Sequence, residues 1–302
     1  MEVTSGALLL DKPVGISSNA ALQRAKQLLG AAKAGHAGTL DPLASGLLVL
    51  LFGEATKLAG PLLDEDKEYV ATVRLGEKTR TGDAEGEVIE RKGFQADAAA
   101  IAGALARFRG EIDQVPPMYS ALKRGGVPLY ALARKGESVE RAARRVRISA
   151  LENLAFDPPD LRVRVRCSKG TYIRTLAEDI GEALGTCAHL AGLRRTASGR
   201  FRVDDAVGLE QLAATPQGER TLRLLGLDEL LRWLPRADLD GAQEARFRNG
   251  QTLKDFCGTE FPGTGLCAVY GAGGRVLGLA EAGCGTLRPL RLLIASQAAD
   301  NH

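Results

Sequence analysis

The chain is short of the residues that hold metals or staple secreted folds. It has five cysteines and three histidines in 302 residues. The cysteines (Cys167, Cys187, Cys257, Cys267 and Cys284) form no C-x-x-C pair, and the histidines add no zinc-ligand spacing. A reducing compartment is the default, with no metal. No basic segment precedes an apolar one at the start of the chain, and no apolar run approaches membrane-spanning length. The expectation is a cytoplasmic protein, neither exported nor bound to a membrane. There is no internal repeat, no low-complexity tract and no sustained heptad pattern, so a monomer is expected. A Walker-type phosphate loop is excluded, because no lysine followed by serine or threonine closes the glycine-dense stretch at 35–46.

Net charge is only +3, so the total argues neither for nor against a polyanionic partner. Placement is more informative. Residues 134–147 carry six basic side chains and two acidic ones, and residues 162–174 carry five basic and no acidic ones. Arg194, Arg195, Arg200 and Arg202 follow. One such cluster is usually a solvated face, but three within about seventy residues point to nucleic acid.

The chain opens with a strand at 7–10, a Pro-Gly turn, and a helix that Ser17 or Ser18 can cap, with Leu22, Ala25 and Leu29 on one face and Gly30 at the exit. Tyr69, Ala71, Val73 and Leu75 share one face of a further strand. Asp97 can cap a helix bearing Ile101, Leu105 and Phe108. Residues 115–147 mix Pro116-Pro117, a Gly125-Gly126 turn and many charges with little apolar material, which reads as a mobile insertion. Leu161, Val163 and Val165 alternate with Arg162, Arg164 and Arg166, giving a strand with one basic face. Ile173, Leu176, Ile180 and Leu184 mark an amphipathic helix with Arg174 in its first turn. Beyond about 235 the pattern changes to short strands broken by glycine turns. The fold expected is α+β: a catalytic domain at 1–235 on an extended mixed sheet, and a small β domain at 236–302.

The least ordinary stretch is Gly35-His36-Ala37-Gly38-Thr39-Leu40-Asp41-Pro42-Leu43-Ala44-Ser45-Gly46, where glycines allow close backbone approach around a carboxylate. From the residues alone, Asp41-Pro42 is equally a helix N-cap and first-turn pair. The string resembles the signature of the TruB-type tRNA pseudouridine synthases. Further matches follow in order: Asp11-Lys12-Pro13-Val14-Gly15, Lys67-Glu68-Tyr69, Thr81-Gly82-Asp83-Ala84-Glu85-Gly86, Val115-Pro116-Pro117-Met118-Tyr119-Ser120-Ala121-Leu122-Lys123 and Cys167-Ser168-Lys169-Gly170-Thr171-Tyr172-Ile173-Arg174-Thr175-Leu176. They cover residues 11 to about 202, and the C-terminal texture is similar to the small PUA-type RNA-binding barrel of bacterial members.

The resemblance implies that Asp41 is the catalytic carboxylate, acting on ribose C1′ or uracil C6 while uracil is detached, turned and rejoined through C5, with no redox change and so no cofactor. It implies that Arg174 orients Asp41 and that Tyr69 stacks on the target base and accepts a proton. His36 would fill the space left by a flipped nucleotide, and Lys12 and Leu193 would lie near that nucleotide. Without the family, Tyr69 is an ordinary strand tyrosine, Arg174 a surface residue, Lys12 a turn lysine and Leu193 a helix leucine. His189 reads as structural, and Asp83 as a turn or substrate-side residue. The implied substrate is uridine 55 in the T-stem and loop of elongator tRNA, bound without a guide RNA. Arg144, Arg145, Arg162, Arg164, Arg166 and Arg195 are the expected RNA contacts. Two other classes compete: an RNA-binding or RNA-folding protein with a vestigial site, which can coexist with modification, and a metal-dependent nuclease, which would need clustered carboxylates that this chain scatters.

Overall fold

The structure, a computed structural model, describes residues 5–120, 122–137, 139–254, 256 and 264–293. Cys257 and the chain from 294 onward lie outside the described residues. The first domain is built on strands β1 (Gly6–Lys12), β2 (Ala34–His36), β3 (Ala44–Phe52), β4 (Lys67–Leu75), β5 (Gly110–Gln114), β6 (Arg144–Asp157), β7 (Asp160–Cys167), β8 (Ala188–Ser198) and β9 (Val207–Gly208). The strands lie side by side as β9-β1-β3-β8-β4-β7-β6-β5, with β2 on β3. Most pairs are antiparallel, but β3 and β8 run parallel, so the sheet is mixed as expected.

The continuous apolar run of β3 explains its central place. Leu47, Val49 and Leu51 enter one core and Leu48, Leu50 and Phe52 another on the opposite face. Helix α1 (Ser18–Leu28) covers the second of these; the Ser17 side chain caps it by accepting from the Ala20 amide. Gly30 takes the left-handed conformation that ends it. On the other half of the sheet, α2 (Ala98–Ala106) and α3 (Ile173–Ala183) cover one face of β4, β6, β7 and β8. Asp97 caps α2. The described helices include none long and apolar enough to cross a membrane.

The C-terminal unit comprises β10 (Arg236–Asp238), α4 (Gly241–Arg248), β11 (Leu253–Lys254), β12 (Gly265–Tyr270), β13 (Val276–Gly283) and β14 (Thr286–Leu292). Among the described residues its strands lie in the order β10-β12-β13-β14-β11, a curled half-barrel sheet consistent with a PUA-like domain. Ala268, Tyr270, Val276, Leu279 and Leu293 join the same buried cluster as Leu9, Leu47, Val49 and Leu51, so the two units share a core.

Two readings need correction. Arg144, Arg145 and Arg147 are not part of an insertion: they lie in β6, paired with Gln114, Asp113 and Glu111 of β5. Val146 and Ile148 are buried between them, and that period-two pattern was masked by the arginines. Residues 115–143 themselves carry a hairpin, Lys123–Arg124 with Val127–Pro128, and a short helix at Leu129–Arg134. Leu193 lies on strand β8, not on a helix.

Removing a β3 side chain that is buried in a helix-covered core should be expensive. Leu50, 0% exposed, is expected to lose about 2–5 kcal/mol of stability on change to alanine, read from the denaturant midpoint; a loss below about 1 kcal/mol would show that the strand repacks freely.

Candidate active site

The turn between β2 and β3 carries Asp41. Its path is fixed at both ends: His36 pairs with Leu50, and Gly46 sits opposite Lys12 on one side and Arg195 on the other. Gly46 has φ +98° and a Cβ there would fall 2.3 Å from the Arg195 carbonyl oxygen, so no other residue fits. Ser18 ties the turn to α1, its hydroxyl donating to the Leu40 carbonyl and accepting from the Leu40 amide, each at 2.8 Å. Asp41 is not a helix N-cap; the chain after it enters β3.

Arg174, the second residue of α3, reaches Asp41 Oδ2 at 3.2 Å and Asp83 Oδ2 at 3.4 Å. It also donates to the carbonyls of Tyr119, at 2.6 Å, and Thr81, at 3.3 Å. Its side chain is 9% exposed, that of Asp83 5% and that of Asp41 46%. The buried pair therefore acts as a bracket, and Asp41 is the carboxylate left facing solvent. Asp83 is held in turn by the Thr81 hydroxyl at 2.6 Å and the Glu85 amide at 3.1 Å. Two clefts meet at Asp41 and Arg174. One is lined by Tyr69, Tyr172, Leu190 and Leu193, the other by Asp83, Glu85, Tyr119 and Tyr130. Burial pushes the Glu85 carboxyl up, with Asp83 and Asp41 adding to it.

The sheet register brings three expected residues into line. Lys12 lies opposite Gly46, Gly46 opposite Arg195, and Arg195 opposite Tyr69. Tyr69 is partly buried beside Asp41; burial raises its phenol pKa, and the nearby Arg195 charge opposes that rise. His36 stands on β2, its pKa lowered by burial and then by Arg195, and its Nδ1 has no hydrogen-bond partner among the described residues. Leu193, opposite Ala71, lines the Tyr69 cleft.

Other expected contacts are placed elsewhere. Lys12 is fully buried, its ammonium donating to the Pro13 and Ile16 carbonyls at 2.8 and 2.7 Å, so it braces the turn and cannot touch RNA. Arg195 is 1% exposed and likewise unavailable to a phosphate. Arg162, Arg164 and Arg166 pair with Thr72, Val70 and Glu68, whereas Tyr69 shares the other face with Ala71 and Val73. The basic face is thus the back of the sheet, and Arg164 there is paired with Glu152. Arg194 grips Asp11. Arg200 donates to the Glu229 carbonyl and lies over Phe201. Arg145 is near Glu111 and Asp113. Arg144, exposed and close enough to influence Tyr172, is the expected RNA arginine that stands on the cleft side. His189 is buried with Nδ1 against the Glu77 carbonyl, a structural position.

Sequence reading missed Gln114, Tyr172 and Glu85. Gln114 is buried and holds the Tyr172 backbone through its amide oxygen and nitrogen, which fixes the entry to α3 and so the reach of Arg174. A glutamine on an edge strand gives no sign of this.

Comparison with known proteins gives three consecutive family matches. Residues 26–173 match the model of the TruB family pseudouridylate synthase N-terminal domain, 174–232 a tRNA pseudouridylate synthase B C-terminal domain, and 235–293 the C-terminal domain of pseudouridine synthase II TruB. The chain is 56% identical over 292 residues to tRNA pseudouridine synthase B of Burkholderia mallei (strain NCTC 10247), covering 96% of this chain and 97% of the relative. The homonymous protein of Cupriavidus metallidurans is 56% identical over 295 residues, covering 95% and 94%. Among solved structures, a Cbf5-Nop10-Gar1 complex matches with TM-score 0.73 and 25% identity over 97% of this chain and 86% of that one.

The buried Lys12 gives the site a pH signature. Burial lowers its pKa from 10.5 to about 8, with Asp41 and Glu85 opposing and Arg195 adding. Between those two values the unfolded chain binds the extra proton, so this group's contribution to stability increases as pH rises from about 8 to 10.5 and is lost on the way back down. The stability difference between the parent and Lys12→Met is expected to shift in the parent's favour across that window; a flat difference would mean that the ammonium is solvated.

Proposed function

The chain belongs to the TruB family of tRNA pseudouridine synthases, and on that premise we propose that it isomerises uridine 55 in the T loop of elongator tRNAs, with Asp41 as the catalytic carboxylate. The observation that carries the residue assignment is the Arg174 bracket: a buried guanidinium shared between buried Asp83 and half-exposed Asp41 aims one carboxylate oxygen at a cleft walled by Tyr69.

A stacked loop uridine cannot reach that carboxylate, so the base is flipped into the cleft. Tyr69 and Leu193 bracket its ring, and His36 occupies the vacated space in the loop. Asp41, held by Arg174, is the nucleophile: it bonds to ribose C1′ or to uracil C6 as the glycosidic C1′–N1 bond breaks, and that bond to Asp41 is broken again, at C1′ as C1′–C5 forms or at C6 as the C5=C6 bond is restored, which returns the free carboxylate. After uracil turns, the C1′–C5 bond forms. The proton on C5 then leaves to the Tyr69 phenol oxygen as the phenol passes its own proton to solvent, the freed electron pair restores the C5=C6 bond, and N1 takes up a proton from solvent. The product is an isomer of the substrate, so no redox partner enters the balance. The chain acts alone in the cytoplasm on the folded T-arm, without a guide RNA. Arg144 contributes a phosphate contact at the cleft mouth, and the half-barrel lies against the same domain as a second RNA surface.

Asp41→Asn keeps the shape and removes the charge; it is expected to bind a T-arm hairpin with unchanged Kd and to form pseudouridine at least about a thousandfold more slowly. Turnover beyond what deamidation can supply would move the nucleophile elsewhere. Tyr69→Phe should likewise bind normally and lose about a hundredfold or more in rate, whereas a rate within a fewfold of the parent would leave the ring as a stacking surface only.

Salt dependence separates the two arginine faces. Arg144→Ala is expected to lower the log-log salt slope of hairpin binding by about 0.7–0.9, and Arg162→Ala, on the back of the sheet, to leave it unchanged. The reverse pattern would place the RNA on the opposite face.

A further inference from the structure

The two clefts that meet at Asp41 share Thr39, Asp41, Arg174 and Ser120 in their linings. Ser120 is 5% exposed, and its hydroxyl has no hydrogen-bond partner among the described residues. Its backbone, by contrast, is held on both sides. The Tyr119 carbonyl just before it accepts from Arg174 at 2.6 Å. The Ser120 carbonyl accepts from the Tyr130 amide at 3.1 Å, and the Ser120 amide donates to the Met118 carbonyl at 2.9 Å. The side chain is therefore fixed in place by the same arginine that aims Asp41. The Tyr172 phenol is a neighbour: burial raises its pKa, the Ser120 hydroxyl opposes that rise, and yet the pair closes no hydrogen bond. A buried hydroxyl without a partner is costly, and one that bonds nothing does no more for the fold than alanine would.

The character of the two clefts says what lies at their border. The first, of about 200 Å³, is walled by Tyr69, Ile173, Leu190 and Leu193, which suits a flat uracil ring. The second, of about 570 Å³, is lined by Asp83, Glu85, Thr81 and Tyr130; its carboxylates disfavour a phosphate and accept from sugar hydroxyls. With the base in the first cleft and the sugar in the second, the C1′–N1 bond falls at the border, beside Asp41. The ribose hydroxyl nearest C1′ is the 2′-OH, which both donates and accepts, as a serine hydroxyl does.

We propose that the buried Ser120 hydroxyl hydrogen-bonds the ribose 2′-OH of the flipped uridine, so that Ser120 is the residue by which the site tells a ribonucleotide from a deoxyribonucleotide at the target. The inference rests on the flipped-uridine reading given above and deepens it. A site that keeps a buried hydroxyl for a substrate hydroxyl penalises the analogue that lacks it, because the protein group then stays unpaired in the complex. Ser120 makes and breaks no covalent bond. It sets which sugar is accepted and how C1′ stands against Asp41.

The test is a cycle of two changes on the full chain: Ser120→Ala in the protein, and 2′-deoxyuridine for uridine at the target of an otherwise all-RNA T-arm hairpin. The readout is single-turnover formation of the pseudouridine isomer at subsaturating protein. Loss of the 2′-OH changes the intrinsic reactivity of the glycosidic bond for both proteins alike, so only the difference between their ribo-over-deoxy preferences is read. The parent's preference is expected to exceed that of Ser120→Ala by about fivefold or more. A 2′-deoxy nucleotide one position 3′ of the target should show no such coupling. Without RNA, the denaturant midpoint of Ser120→Ala should equal or exceed the parent's, since the change removes an unpaired hydroxyl. Equal preferences in the two proteins overturn the proposal, and so does coupling at the neighbouring nucleotide in place of the target. A lowered midpoint, or a variant that does not fold, also overturns it, because the hydroxyl would then have a partner within the fold. Absence of pseudouridine from the parent's all-RNA reaction sinks the flipped-uridine reading and this inference with it. The two failures are distinguishable, because every other outcome leaves the parent's reaction on RNA intact.

Discussion

The parallel contact between β3 and β8 at Gly46 is the constraint on which the rest of the site depends. The strands meet so closely there that a single methyl group on residue 46 would penetrate the Arg195 backbone. Because they meet, Lys12, Arg195 and Tyr69 fall on one line across the sheet, and a turn that would otherwise be a loose surface loop is anchored to the interior. A parallel pair needs a long crossover, and here residues 53–187 provide it, including β4 and α3. The crossover thus delivers Tyr69 and Arg174 to the same place that the close approach creates.

Two arginines divide the electrostatics of this place between them. Arg174 is compensated: it has Asp41, Asp83 and two carbonyls, a set that leaves its own position fixed and one carboxylate outward. Arg195 has no ion-pair partner among the described residues, and its charge influences Lys12, His36, Lys67 and Tyr69. A carboxylate oriented by a buried cation and a phenol within the field of a second one thus line a single cleft.

Much of this could be read from the chain, and the failures have physical causes. The glycines around Asp41, the alternation in β4 and β7 and the period of α3 are local patterns, so strand, helix and turn were legible. The burial of Arg195 was not, because it results from contacts with Leu47, 148 residues away, and with Gly38; within β8 the bulge after Arg195 breaks the alternation that would reveal which way it points. Alternation in β7 showed that Arg162, Arg164 and Arg166 share a face, but which face carries the cleft is set by where α3 packs, and sequence periodicity does not contain that. Arg144–Arg147 misled for the opposite reason. Their charge density resembled a solvated loop, while Val146 and Ile148 alone carried the strand signal.

The shared core between the two units ties the support of the Asp41 turn to the far end of the sequence. The face of β1 and β3 that carries Leu9, Leu47, Val49 and Leu51 is completed by residues as late as Leu293, and Lys57 donates to the Leu292 carbonyl at 2.8 Å. Residues of the first strands and residues as distant as Leu293 thus close one buried cluster, so the register that supports the turn carrying Asp41 is set by packing that spans nearly the whole described sequence.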